Sequence, residues 1–419
     1  MPHIAQGSLH FSFPRLAREI EGLIAIFLEE NSARFRGQFA ESARKTLLEH
    51  FETEEQIPVQ TLLRLQGLRG PEIESAWVEA WQEVVRNLQL SCEVSFERTL
   101  RLPDDGKVYP LPAGLGSFPI RPVDHYTSTA PAEWIEQGGV LLPMYQGEAF
   151  WMSFQAGIPT ALKITCGSVN ALTGDPDHGA LSSTPQNYLT LPDQPWLDGF
   201  QVSSGVVRQF VAVPTGAGLS ASEQLAPERL SHGMVIEAIP LKAEQLLPDL
   251  LEEHEDDVFD RVMRRLLGDW DHRSTALYAR LRAPSASLGV GGGGKIQQEI
   301  YEDPHGVDAW NQADSIRVCV HICNSALWRA ITHENPPHPP FTPEEYRRKG
   351  IPWFDFYRDD LEPLPETKKM ASLKSVDEVA HAPNASVHSG EVIEPGLVIQ
   401  YGNTRRPEAV RQWGGAFKS

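Results

Sequence analysis

The sequence predicts an α+β protein: an N-terminal helical module followed by a mainly antiparallel β-sandwich or partly open barrel, with an interposed helix. Three observations carry this expectation. Apolar residues recur at three- and four-residue intervals up to about residue 90. From Leu90 the period changes to two, and the alternating runs beyond it are short and broken by Asp-Gly, Ser-Gly and Thr-Gly turn signals.

In chain order, Ser12 is placed to cap a helix with Pro14 in its first turn, and Leu16, Ile20, Leu23 and Phe27 fall on one stripe. A second helix is expected over 33–51. Thr53 and Gln56 form a capping-box pattern before a third, and Gly70-Pro71 opens a fourth, lined by Ile73, Trp77, Trp81, Val84 and Leu88. "LSCEVSFERTL" then alternates as a strand, and the connection from Pro103 to Pro122 is too rich in proline and glycine for a helix. Strand-like runs follow at 139–155, 160–173, 187–191, 200–213 and 234–242. A helix over 249–267 has an acidic beginning (Glu252 to Asp257) and a basic end (Arg261 to Arg265), which complements a helix dipole.

A second strand region runs from Lys295 to about Ile322. Pro336 to Glu345 breaks the chain before a short helix and the aromatic stretch 352–357. A polar tail from Asp359 adds a hairpin, with Pro395-Gly396 in the positions of a type II turn. The expected domains are therefore 1–90 (helical), 91–245 (β-rich), 246–280 (helical connection), 281–358 (a second β region, open to belonging to the same sandwich) and 359–419 (tail).

The composition restricts function. With 41% hydrophobic and 22% charged residues, the chain has the balance of a folded protein, and 419 residues suffice for a sizeable core. A net charge of -19 disfavours nucleic acid and anionic lipid. No secretory leader or uninterrupted apolar span is present, and the four cysteines are too few for a disulfide scaffold, so a soluble cytoplasmic protein with reduced thiols is expected.

Several motifs approach known chemistry. "GVGGGGKI" (Gly289–Ile296) matches a phosphate-binding loop through Lys295, but Ile296 stands where a magnesium-binding hydroxyl belongs, and the β-branched and aromatic residues that follow favour a strand over a helix. A flexible linker or tight turn entering a strand is the expectation, with no nucleotide site. In "VCVHICN", strand geometry puts Cys319, His321 and Cys323 on one face, where two thiolates and an imidazole are a zinc-ligand set. The outer pair would stand roughly 13 Å apart at about 3.3 Å per residue, so a half-buried strand with thiols as core filler and one hydrogen-bonded histidine is preferred. "GDPDHG" (Gly174–Gly179) reads as a turn rather than a calcium loop, and His125 beside Asp124 lacks the G-x-S-x-G elbow that would position a nucleophile.

Aromatic residues are concentrated outside the helical region, and those exposed beside polar groups would suit a sugar or a partner protein. Trp151, Trp196, Asp198, Trp310, Trp328 and Trp353 are the candidate ligand-binding residues. The blocks "GGVLLPMYQGEAFWMSF" (138–154), "DQPWLDGFQVSSGVVRQFVAVP" (193–214), "GGGGKIQQEIYEDPHGVDAWN" (291–311), "VHICNSALWRAIT" (320–332) and "GIPWFDFY" (350–357) resemble a family of bacterial and fungal proteins with no established activity. The resemblance spans about residues 115–360 and implies no catalytic residues.

The expected function is nonenzymatic binding or assembly through aromatic side chains, without a cofactor, and with a protein, a carbohydrate or a second copy of the chain as partner. The competing reading is a metal-dependent enzyme using His321 with Cys319 or Cys323, with zinc as its metal. Elemental analysis of untagged protein separates the two. The first requires no stoichiometric metal; the second requires about one ion per chain, lost in His321→Ala.

Overall fold

The computed structural model describes residues 3–5, 7–41, 70–229, 231–267, 289–358, 360–380, 393 and 395–403. The chain divides into two compact units, one from residues 13–90 and 241–278, the other from 1–12, 91–240 and 279–419. The helices are α1 (Pro14–Glu30), α2 (Gly70–Asn87), α3 (Ala132–Gln137), α4 (Ala221–Leu225), α5 (Ala243–Leu267), α6 (Ser325–Thr332), α7 (Pro343–Arg348) and α8 (Val376–Val379), with a further helical stretch at 32–41.

The first unit is helical. In α1 the buried stripe is Leu16, Ile20, Ile24 and Leu28, a strict four-residue repeat, so the predicted Leu23 and Phe27 lie at its margin. Ser12 is not its cap. That residue ends a strand, and Phe13 occupies the N-cap without a side-chain bond. α2 opens at Gly70 and buries Trp77, Trp81 and Val84 as expected, together with Ala76, Ala80 and Val85. Phe35 from the 32–41 stretch meets Trp77 at 4.5 Å between ring centroids, and Phe259 of α5 approaches the same indole at 6.0 Å. The rest of the helix expected over 33–51, and the Thr53/Gln56 cap, lie outside the described residues.

α5 starts at Ala243, earlier than the expected 249, and runs through Pro248. The acidic cluster is therefore central rather than N-terminal, and its charges serve in pairs: Glu255 accepts from Arg34 at 2.6 Å, and Asp257 from Arg261 at 2.9 Å. Arg264 and Arg265 do occupy the last turn.

The second unit is α+β. Its strands are β1 (His3–Ala5), β2 (Ser8–Ser12), β3 (Ser91–Thr99), β4 (Val108–Tyr109), β5 (Leu111–Pro112), β6 (Arg121–Pro122), β7 (Val140–Pro143), β8 (Ala149–Ala156), β9 (Thr160–Cys166) and β10 (Val169–Asn170). They continue as β11 (Leu189–Leu191), β12 (Trp196–Leu197), β13 (Gly199–Ser203), β14 (Val206–Val213), β15 (Met234–Pro240), β16 (Gly289–Gln297), β17 (Ile316–Cys323), β18 (Trp353–Arg358) and β19 (Val398–Asn403). The first sheet has the order β1-β2-β3-β8-β14-β16-β4, with β12 on β8 and β13 on β14; the second is β10-β9-β15-β17-β7-β6 with β11 on β9; the third is β19-β18-β5. Most ladders are antiparallel, but β4·β16, β7·β17 and β18·β19 are parallel, so the sheets are mixed, and no closed barrel forms among the described residues.

β1 and β2, within the stretch expected to be a helical module, stand at one end of the first sheet. The predicted run 139–155 divides into β7 and β8, which enter different sheets. The break is made by Gly147 at φ 79, a backbone geometry that favours glycine, and by buried Glu148, which accepts from the Tyr145 amide at 2.8 Å and from Arg98 Nε at 2.8 Å. Strands before and after α5 share sheets, through β14·β16 and β15·β17. The hairpin expected around Pro395-Gly396 is absent from the described residues: Gly396 lacks the positive φ of a type II turn, and β19 pairs with β18.

The glycine run corrects a further expectation, because it is neither linker nor turn. Gly289–Gln297 is β16, laddered to β14 and, at Lys295 and Ile296, to β4. Its amides face neighbouring strands rather than opening a helix, which is the setting a phosphate loop requires. Space explains the residue type. A Cβ on Gly293 would stand 2.7 Å from Val211 Cγ2, and one on Gly294 would stand 2.4 Å from the Pro103 carbonyl.

Gly293→Ala and Gly294→Ala are accordingly expected to lower stability by about 1–3 kcal/mol through overpacking, read from chemical denaturation. A flexible linker would respond oppositely, gaining about 0.4–1 kcal/mol from reduced unfolded-state freedom.

Candidate functional site

Two cavities of the β-containing unit contain sequence-predicted residues or their immediate partners. The larger, about 540 Å³, is bordered by Gln186, Tyr188, Gln201 and Asp303. Several of its polar groups are already hydrogen-bonded within the fold. Asp303 Oδ2 accepts from Tyr188 Oη and, at 2.8 Å, from Trp310 Nε1, while Gln186 and Gln201 donate to the carbonyls of Tyr188 and Leu364 at 2.8 and 3.0 Å.

The smaller cleft, about 190 Å³, is lined by Leu111, Pro112, Gly114, Trp151, Trp196 and Phe354 around Asp198. Strand geometry assembles it. β3 and β8 pair so that Glu97 stands opposite Trp151, and β8 and β12 pair so that Trp196 stands opposite Ser153, two residues along the same face. Asp198 follows Trp196 by two residues, and β5 and β18 bring Leu111 opposite Phe354. The indoles of Trp151 and Trp196 meet edge to face, with centroids 6.3 Å apart and planes at 69°. Gly114 keeps the wall thin: a Cβ there would stand 3.1 Å from Trp151 Cζ2 and 3.8 Å from Glu97 Oε2.

Asp198 is the chemical centre. It is only 2% exposed, and its bonds hold it in place without neutralising a charge. Its amide donates to Gln298 Oε1 at 3.0 Å, Gln298 Nε2 donates to Oδ2 at 3.2 Å, and its carbonyl accepts from the Phe210 amide at 2.9 Å. Burial pushes its carboxyl up to about 8, so at neutral pH it is a neutral acid able to donate a hydrogen bond. Burial also raises Glu97 at the rim, against the opposing effect of the Ser117 hydroxyl, which donates at 2.8 Å.

Trp151, Trp196 and Asp198 are thus brought together, and the other predicted site residues are placed elsewhere. Trp310 is 2% exposed and donates to Asp303. Trp328 is fully buried on α6, packed with Val123, Trp134, Leu141 and Cys323. Trp353 lies on the buried pleat of β18, its ring stacked 6.3 Å from Tyr109, while its neighbour Phe354 faces the cleft. One residue along a strand means the opposite face, so Trp353 lies outside the cleft that Phe354 lines.

The β17 trio is built into packing. His321 Nε2 donates to the Gly138 carbonyl at 2.8 Å, and its ring stacks on Trp134 at 4.7 Å and 19°. Burial lowers its pKa, opposed by that carbonyl and by Glu133. Burial raises both Cys319 and Cys323. Among the described residues, no three His, Cys, Asp or Glu side chains converge as a metal-binding group. In the "GDPDHG" turn, Asp177 pairs with buried Lys163 at 3.1 Å and with Arg317 at 3.6 Å, and Asp175 pairs with Lys369 at 3.6 Å.

Glu97, Gln298, Gly114 and Phe354 were missed by sequence reasoning. Glu97 falls on the partly exposed face of β3, but its partner Trp151 is some fifty positions away and only pairing reveals it. Comparison with protein-family models, curated proteins and solved structures finds no match to this chain.

The sign of the Asp198 shift makes a prediction. Folding raises its pKa from 3.8 to about 8, so its contribution to stability is complete below the lower value and is lost as pH rises through the upper one. Asp198→Asn keeps the shape and removes the titration. Its stability relative to the native chain is expected to grow with pH by up to about 1.4 kcal/mol per unit across that window, measured by urea unfolding at several pH values. A pH-independent difference would show a solvated carboxylate instead.

Proposed function

We propose that this chain is a nonenzymatic binding protein of the cytoplasm, and that the Trp151–Trp196–Asp198 cleft is its recognition site for a protein or carbohydrate partner. The observation that carries the reading is the convergence of two half-buried indoles on one buried acid. Indole faces supply large apolar contact at low entropic cost, and an acid in an apolar wall orients whatever they hold. At about 190 Å³ the cleft is smaller than the roughly 300–1,000 Å³ of drug-sized sites, so it receives one ring or one side chain. The cysteines, all free thiols, suit a reducing compartment.

Titration of the full chain with a panel of saccharides and peptides, followed by tryptophan fluorescence, tests the reading. A ligand that perturbs the native spectrum is expected to lose about 2 kcal/mol of affinity, roughly thirtyfold, in Trp151→Ala or Trp196→Ala. Affinity unchanged in both variants would remove the cleft from recognition.

A further inference from the structure

Several other buried carboxylates in this unit face a cation, although Asp303 is held by Tyr188 and Trp310 instead. Glu148 lies against Arg98; Asp104 and Asp377 accept from Arg208 and Arg101 at 3.2 and 3.0 Å; Asp177 accepts from Lys163 at 3.1 Å. Asp198 and Glu97 differ. Their side-chain partners are the Gln298 amide and the Ser117 hydroxyl, and no Arg or Lys among the described residues pairs with either. Asp198 therefore lines, without a counter-charge, a cleft whose other walls include the rings of Trp151, Trp196 and Phe354, and Glu97 stands opposite Trp151 beside Gly114 of the wall.

Aromatic faces and acids attract the same kind of guest. The negative face of an indole draws a cation, a buried carboxylate draws it more strongly, and the apolar walls penalise a compact, strongly hydrated ion such as sodium. Alkyl groups around the charge remove that penalty. The net charge of -19 also favours the approach of cations to the protein.

We propose that the cleft binds an alkylated ammonium head, seated on Trp151, Trp196 and Phe354, with Asp198 as its buried counter-ion and Glu97 at the rim. This rests on the reading of the cleft as a recognition site and specifies its ligand class. The shared chemistry is a quaternary or methylated ammonium, whether free in solution or on the side chain of a lysine.

The proposal requires proton release. In the empty cleft Asp198 is held neutral, with a pKa of about 8, and a bound cation favours its ionised form. Among the residues around it, Gln298, Trp151, Trp196 and Phe354 do not titrate in this range, and Asp355 follows Phe354 on the opposite pleat of β18. Glu97, also raised, adds to the same direction. Apparent affinity for the cation is thus expected to fall by up to about tenfold per pH unit below about pH 8 and to level off above it.

The test is calorimetric titration of the full chain with choline and with its neutral isostere 3,3-dimethylbutan-1-ol, from pH 6 to 9. The expected result is at least about a tenfold preference for choline, with affinity rising toward pH 8. Titration in two buffers of different ionisation enthalpy is expected to show release approaching about one proton near pH 6.5, a readout that needs no variant. Asp198→Asn, with folding checked by circular dichroism, is expected to abolish both the pH dependence and the preference. A peptide bearing trimethyllysine that binds more tightly than choline would assign the head to a protein partner; tighter choline binding would assign it to a free small molecule. Equal binding of the isostere, or pH-independent choline binding without proton release, would overturn the proposal. If choline fails while a saccharide or unmodified peptide still perturbs Trp151, the cation is overturned and the recognition site stands; if nothing perturbs it, both fall.

Discussion

The close approach of other segments to the bare backbone of β16 is the constraint on which much of the β-containing unit depends. Where a side chain on Gly293 or Gly294 would collide with Val211 or the Pro103 carbonyl, those groups instead lie against the strand itself. The missing side chains also leave room for Arg208, whose Cδ would stand 3.2 Å from a Cβ on Gly292 and whose guanidinium donates to the Gly293 carbonyl at 3.3 Å. That guanidinium reaches Asp104 and Glu378, at 3.2 and 2.9 Å, and Ser375 at the cap of α8 donates to the same Asp104. Immediately past β16, Gln298 holds Asp198. A glycine run that would cost a strand about 1 kcal/mol per residue in conformational entropy is thus offset by the packing it permits.

Buried charge is used in two ways in this unit. Lys163, 1% exposed, is placed between Asp177 and Glu237 at 3.1 and 2.9 Å, and Arg98 joins Glu148 while donating to the His338 carbonyl, so a paired charge ties a loop to a sheet. Breaking such a pair strands its partner in a low-dielectric setting, which is more costly than losing the contact alone. Asp198 is buried without that compensation, and burial pushes its carboxyl up to about 8.

The aromatic residues outside the helical region follow the same division. Trp310 and Trp328 complete cores, one bonding Asp303 and the other packed with Val123, Trp134 and Leu141, whereas Trp151 and Trp196 remain half-buried in the wall of a cleft that Leu111–Gly114 and Phe354 also line. Composition alone ranks these tryptophans equally. What separates them is how much chain lies over each.

The sequence by itself determined the helix-to-strand change at Leu90, the buried indoles of α2 and the alternation of β3, because each follows from backbone periodicity within a few residues. Only the tertiary structure decided that the glycines form a strand, that β7 and β8 part into different sheets, that Trp353 is core while Phe354 faces a cleft, that Glu97 stands opposite Trp151 and that Gln298 holds Asp198. The physical reason is that pleat and pitch are local, whereas burial, counter-charge and free space depend on which distant segment comes to lie across each face.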